Sequence, residues 1–320
     1  MIIAILVLII VILIVLGMKP FELNSDFSSN PVDSYKEAAI RITKIQTEEA
    51  ELAELNPVCA TQLLTHGEKV DNVIVFLHGF TSCPAQFAQL GKEFFEKGYN
   101  VFIPRTPRHG TKDRSGQPLK GLTAEELAEF ANQSVDIALG LGARVIVVGL
   151  SGGGSMATWL SQVRSDVDLA VPIAPFLGIG FIPRIFNRPL TNLILLAPNI
   201  FQWWDPINKE SNPNSTPYSY MRYPMHSLFE NLRLGYVAEE EAKRRRPAAG
   251  AILMITNAND DAVNNEIIAE FEKVWLAYGE QFVLSHQFPK EYGLPHDLIS
   301  PERPDGNIEV VYPKLHELIR

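Results

Sequence analysis

Val145-Ile146-Val147-Val148-Gly149-Leu150-Ser151-Gly152-Gly153-Gly154-Ser155-Met156-Ala157-Thr158-Trp159-Leu160 is the stretch that decides the fold. Its first four residues are β-branched and uncharged, which predicts a strand. Residues 153–164 read as a helix. Between them, residues 149–153 form Gly-x-Ser-x-Gly. That spacing puts a serine on a tight strand-to-helix turn, where flanking side chains larger than hydrogen would clash. A serine so placed protrudes, and the N-terminus of the following helix favours negative charge developing beside it.

The same glycines admit a second reading. Gly149, Gly152 and Gly154 spell a Gly-x-x-Gly-x-Gly dinucleotide loop. Such a loop calls for an acidic residue at the end of the next strand, to hold a ribose. Asp166 and Asp168 stand before that strand instead. A Walker-type phosphate loop is excluded, because no Gly-Lys-Ser/Thr follows. The serine reading therefore leads. A serine hydroxyl is a poor nucleophile alone; it needs a base, a group to orient that base, and donors for an oxyanion.

Outward from this motif the chain alternates. Strands are expected at 73–77, 100–103, 145–148, 169–173, 251–255 and 281–287. Helices are expected at 84–97, from Thr123 to about 140, at 153–164, 264–278 and from about 307. Thr123 and Glu126 form a capping box. Strands alternating with helices predict an α/β protein with a mostly parallel, doubly wound sheet. Residues 177–246 break the rhythm, being rich in Pro, Asn and aromatics, and read as an inserted cap subdomain. The remaining body is 58–176 with 247–320. His78-Gly79-Phe80 follows the strand 73–77 directly. At the carboxyl end of a parallel strand, that turn can aim the Phe80 N–H at an oxyanion beside the Gly152 N–H.

Taken together, His78-Gly79-Phe80, Pro104 to Gly110 with His109-Gly110, Gly149 to Gly153, Asn259 to Val263 and Pro295-His296-Asp297 resemble the α/β-hydrolase superfamily. Within it the chain looks like the serine esterase/lipase group, with a helical cap inserted after the strand beyond the nucleophile. The resemblance covers about residues 70 to 318. It implies the chain order serine, acid, histidine. Ser151 is then the nucleophile and His296, on the loop before the last helix, the base. His286, inside a strand pattern, and His316, in the final helix, read as structural, and His109 as structural or pocket-lining. The acid falls on the loop after strand 251–255. Asp260 and Asp261 are adjacent there, and Asp260 is favoured because Val263 follows it at the family spacing. Phe80 and Gly152 supply the oxyanion hole. His78, Phe176, Phe181, Trp203 and Trp204, with Ile182, Phe186 and Phe201, are candidate pocket residues. The expected reaction is cleavage of a carboxylic ester, an acyl ester or a lipid-like molecule, with no metal and no cofactor. Hydrolysis of thioesters, amides or carbon–carbon bonds by the same triad, and a binding protein without catalysis, are the other readings.

The rest of the chain sets context. Of 320 residues, 46% are apolar and 20% charged, enough for a large core. The net charge of −9 and the lack of a basic stripe exclude nucleic acid as an expected partner. Lys243-Arg244-Arg245-Arg246 follows Glu239-Glu240-Glu241 and reads as a solvated, internally paired helix face. Ile2 to Leu16 is apolar without interruption, and Gly17 and Met18 extend it. No cation precedes the run and no small-x-small cleavage site follows. These features predict an uncleaved membrane anchor at 1–18, contacting lipid through residues 2–18. They also imply a catalytic domain outside the cytoplasm, with cleavage and secretion as the alternative. Residues 19–57 read as a polar linker and a helix, capped by Asp33 and ended by Asn56-Pro57. Cys59 and Cys83 form a candidate disulfide.

Overall fold

Residues 73–77 and 145–150 are all buried, although successive side chains of a strand point to opposite faces. The sheet they belong to is therefore covered on both sides. Each such Val, Ile or Leu contributes about 1.5–3 kcal/mol by leaving water. The computed structural model describes residues 2–24 and 27–320.

The elements run in this order. Helix α1 (Ile2–Met18) is followed by α2 (Tyr35–Ala50) and β1 (Gln62–Leu64). Next come β2 (Val70–Leu77), α3 (Ala88–Phe95), β3 (Asn100–Ile103), α4 (Ala124–Ala138) and β4 (Gly142–Leu150). Helix α5 (Gly152–Val163) leads to β5 (Leu169–Ile173). Residues 177–246 hold α6 (Arg184–Leu196), β6 (Phe201–Trp203), β7 (Arg222–Pro224) and α7 (Met225–Arg244). The chain closes with β8 (Ala251–Asn257), α8 (Asn265–Leu276), β9 (Val283–Phe288) and α9 (Ile308–Leu318).

One seven-stranded sheet has the order β1-β3-β2-β4-β5-β8-β9. Only β1 is antiparallel to its neighbour. This is the mostly parallel sheet of an α/β-hydrolase fold, with helices packed on it. Register aligns the strand ends: Leu77 pairs with Gly149, Leu150 with Ile173, and Ile173 with Ile255. The carboxyl ends of β2, β4, β5 and β8 thus meet along one edge, where open α/β sheets bind ligands.

Local signals and the fold agree in places and differ in others. Thr123 accepts a hydrogen bond from the Glu126 N–H, as a capping box requires. Ser34, not Asp33, caps α2, because its hydroxyl is the group that reaches the Glu37 N–H. Pro84 starts a 3₁₀ turn over Pro84–Phe87, so the regular helix begins only at Ala88. Strand β1 is too short to leave a period-2 pattern, and it escapes sequence reading. Between α6 and α7, β6 and β7 pair as a two-stranded antiparallel sheet.

The expected membrane anchor is overturned. Helix α1 has 17 residues, which at the helical rise is roughly 25 Å, short of the ~30 Å hydrocarbon core. Among the described residues no helix is long and apolar enough to cross a membrane. Instead α1 lies along α6: Asn192 Nδ2 donates to the Leu16 carbonyl at 2.6 Å. A Cβ built on Gly17 would stand 3.0 Å from Pro189. The extracytoplasmic placement drawn from that anchor falls with it.

Cys59 and Cys83 are bonded, closing a sequence separation of 24. With Leu55 and Tyr218 they form a small buried cluster at the base of the 78–83 turn. A crosslink of that separation restricts the unfolded chain by about 3 kcal/mol. The double substitution of Cys59 and Cys83 by Ser is expected to lose about that much stability in urea titration. Reductant should then have no further effect on the variant.

Candidate active site

Ser151 sits between β4 and α5 with φ 56° and ψ −113°. A non-glycine residue in that region is strained by about 1–3 kcal/mol and persists only where its surroundings fix it. Three main-chain bonds do so. The Ser151 N–H donates to the Ile173 carbonyl at 3.0 Å. The Ser151 carbonyl accepts from the Ser155 N–H at 2.9 Å and the Phe176 N–H at 3.0 Å. The flanking glycines are steric necessities. A Cβ on Gly153 would lie 1.9 Å from the Leu77 carbonyl oxygen, and one on Gly149 would lie 2.0 Å from that of Gly153. The Ser151 hydroxyl does not cap α5, so it is left available to a substrate.

Beside it the 78–83 turn leaves β2. The built Cβ position of Gly152 is 3.1 Å from the Phe80 nitrogen, so these two backbone amides are neighbours. Among the described residues neither N–H has an acceptor. For Gly152 this follows from its place in the first turn of α5, where helical N–H groups are unpaired. Two converging, unpaired donors next to a protruding serine can hold a developing oxyanion.

Asp260 and His296 come from the loops after β8 and β9. His296 Nδ1 is 2.7 Å from Asp260 Oδ2. Asp260 has no exposed side-chain surface, and its Oδ1 accepts from the Ala262 N–H at 2.9 Å and the Val263 N–H at 3.3 Å. With Nδ1–H committed to the carboxylate, Nε2 is the nitrogen free to take a proton. Burial opposes charging His296, but the Asp260 charge and hydrogen bond, with Asp297, outweigh it against Arg303. The imidazole pKa is therefore held above its ordinary value. Two amides splint the loops together. Asn257 Nδ2 donates to the carbonyls of Leu294 at 2.8 Å and Pro295 at 3.1 Å, and Asn259 Nδ2 donates to Leu294 at 3.0 Å. Sequence reasoning missed both. An asparagine at a strand end beside a loop acid was the available signal.

Ser151, His296, Phe80 and Asp261 line one cavity of about 800 Å³. Phe176, Ile179, Ile182, Leu190, Ile194 and Phe229 make an apolar wall. Asn212, Asn214, Ser215, Thr216 and Ser219 add a polar stretch. Phe181, Trp203 and Trp204 line it as well, whereas Phe186 and Phe201 do not.

His78 is placed elsewhere than expected. It is 1% exposed and does not line the cavity. Its Nε2 accepts from the Thr106 N–H at 3.1 Å, so Nδ1 carries the proton toward the Gly79 carbonyl at 3.0 Å. Burial, aided by nearby His109, pushes its pKa well below the ordinary value and keeps it neutral. It is a brace for the turn. His109 is buried beside it, and burial pushes its pKa down to about 4. His286 lies on β9 and His316 lies on α9, where it bonds Glu93; neither lines the cavity. Among the described residues no group of three or more His, Cys, Asp or Glu could hold a metal.

A model of the alpha/beta hydrolase family matches residues 74–300. A thermostable monoacylglycerol lipase of Bacillus sp. (strain H-257) is 23% identical over 222 residues, covering 64% of this chain and 78% of that protein. Among solved structures, a chain from work on two metagenome-derived lipolytic enzymes superposes with a TM-score of 0.62 at 17% identity, covering 83% of this chain and 99% of that one. The monoacylglycerol lipase of Paleococcus ferrophilus superposes with a TM-score of 0.60 at 17% identity, covering 81% and 97%. A soluble variant of the Saccharomyces cerevisiae monoglyceride lipase gives 0.58 at 14% identity, covering 81% and 90%. The elbow strand, the sheet order and a match over most of the length agree, and the chain belongs to the alpha/beta hydrolase family.

Proposed function

We propose that this protein is a serine hydrolase that cleaves carboxylic esters through an acyl-enzyme, with Ser151 as nucleophile, His296 as base and Asp260 as its orienting acid. The observation that carries this is the 2.7 Å Asp260–His296 pair opening onto the same cavity as the serine of a strained elbow. Ser151 attacks the ester carbonyl as His296 Nε2 takes its proton. Asp260 holds the imidazole in the required tautomer and balances the imidazolium. The Phe80 and Gly152 N–H groups receive the oxyanion. His296 then returns the proton to the leaving alcohol and activates the water that releases the acid.

A monoacylglycerol or similar acyl ester is the proposed substrate, with the insertion 177–246 acting as a cap over the cavity. The apolar wall suits an acyl chain and the polar stretch a hydroxylated alcohol. The names of the lipase relatives point the same way. The test is labelling by a fluorophosphonate probe, mapped to Ser151, together with turnover of p-nitrophenyl esters and of a monoacylglycerol. A protein that neither labels nor turns over any of them is the catalytically silent binding protein instead.

The pH profile is a second check. His296 must be uncharged to act as base. Its pKa is raised, so kcat/KM is expected to fall on the acid side along a limb centred above the ordinary 6.5. Asp260→Asn, which removes the charge that does most to raise it, is expected to move that limb to lower pH.

A further inference from the structure

Thr81 directly follows Phe80 and has a φ of 67°. A β-branched residue in the left-handed region is an outlier that only its surroundings can maintain. Here the surroundings belong to the insertion. Trp204 Nε1–H donates to Thr81 Oγ1 at 2.9 Å, and the Thr81 hydroxyl donates in turn to the Phe80 carbonyl at 2.6 Å. The Tyr220 N–H donates to the Thr81 carbonyl at 2.8 Å. Side chain and main chain of one residue are thus held by two separate stretches of the insertion. The Phe80 ring stands edge-on to Trp204 at 6.3 Å and to Tyr223 at 6.0 Å.

We propose that Thr81 is a positioning residue: its hydroxyl couples the Phe80 oxyanion donor to Trp204, so that seating of the insertion sets the oxyanion hole. The proposal rests on the ester-hydrolase reading of Ser151. Trp204 also lines the cavity. A substrate packed against its indole therefore stabilises the contact that aims the donor used in its own transition state. Binding energy from the part of the substrate remote from the ester is in this way converted into rate.

The test uses the full chain, four single variants and one double variant. Thr81→Val keeps shape and branching but removes the hydroxyl; Thr81→Ser restores it; Trp204→Phe removes the indole donor; Ser151→Ala is the catalytic control. Amide hydrogen exchange is followed on peptides spanning 78–82 and 218–222, which contain the Ser82 N–H to Gly79 and Tyr220 N–H to Thr81 bonds. Both peptides are expected to exchange faster in Thr81→Val and Trp204→Phe, but not in Thr81→Ser or Ser151→Ala. With p-nitrophenyl butyrate, Thr81→Val is expected to lower kcat about 10- to 100-fold, less than loss of a whole oxyanion donor, with little change in KM. Inhibition by an alkyl boronic acid, which mimics the tetrahedral state, should weaken in parallel. Thr81→Ser should recover most of both. The double variant Thr81→Val/Trp204→Phe should be no slower than the slower single variant, since both remove one contact. Unchanged exchange in Thr81→Val overturns the tether whether or not the protein hydrolyses esters. Faster exchange with unchanged kcat overturns the positioning role. Faster exchange in a protein whose wild type turns over no ester upholds the tether and identifies the hydrolase reading as the one that fails.

Discussion

Ser151→Ala is expected to lower kcat for p-nitrophenyl butyrate by about 10⁶-fold, with KM nearly unchanged. The variant keeps the donors at Phe80 and Gly152 and the whole cavity, so substrate still binds. What it loses is the hydroxyl proposed to form the acyl-enzyme, and fluorophosphonate labelling should vanish with it. A small residual rate is expected, because an oxyanion hole and a bound substrate still outdo water by about 10³-fold. Stability should not fall, since alanine tolerates φ 56° no worse than serine and the hydroxyl caps nothing. Retention of a tenth or more of the wild-type turnover would remove Ser151 from the mechanism.

The second large effect separates two neighbours. Asp260→Asn is expected to cost about 10⁴-fold in kcat, while Asp261→Asn stays within about tenfold of the wild type. Asparagine in place of Asp260 can present its amide N–H₂ to His296, which selects the wrong tautomer and leaves the imidazolium unbalanced. Asp261 lines the cavity and makes no bond to the histidine, so its replacement should act on KM. Steady-state kinetics on both variants decides the matter. The reverse ranking would mean that the loop after β8 turns the other carboxylate inward during catalysis.

The two aspartates also mark where sequence reading reaches its limit. Ser151 was legible because its requirement is local: two glycines, a strand before and a helix after are read within twenty residues. His296 was legible through chain order, since it is the histidine on a loop after the last strand. Asp260 and Asp261 share one loop, and only the spacing of Val263 implied by the family resemblance favours Asp260. The turn that gives Asp260 the Ala262 and Val263 N–H groups makes the choice, and it leaves Asp261 at the cavity wall. His78 was misread for the opposite reason. A polar residue at a strand end suggests a pocket, yet it is satisfied internally by Gly79 and Thr106. In α1, composition pointed to lipid, whereas its length and its seat along α6 do not supply a crossing helix.

By itself, then, the sequence determined the α/β architecture, the strand-to-helix turn at Ser151, the turn at Phe80 after β2 and the loop that carries His296. Each of these depends on short-range sterics or on the order of buried strands, and both are written in consecutive residues. Only the tertiary structure decided which carboxylate meets the histidine, that Asn257 and Asn259 splint the two loops, and that the strained Thr81 is held by Trp204. Those contacts join residues up to 123 positions apart. Hydrogen-bond direction at that range depends on how loops land, and no periodicity along the chain records it.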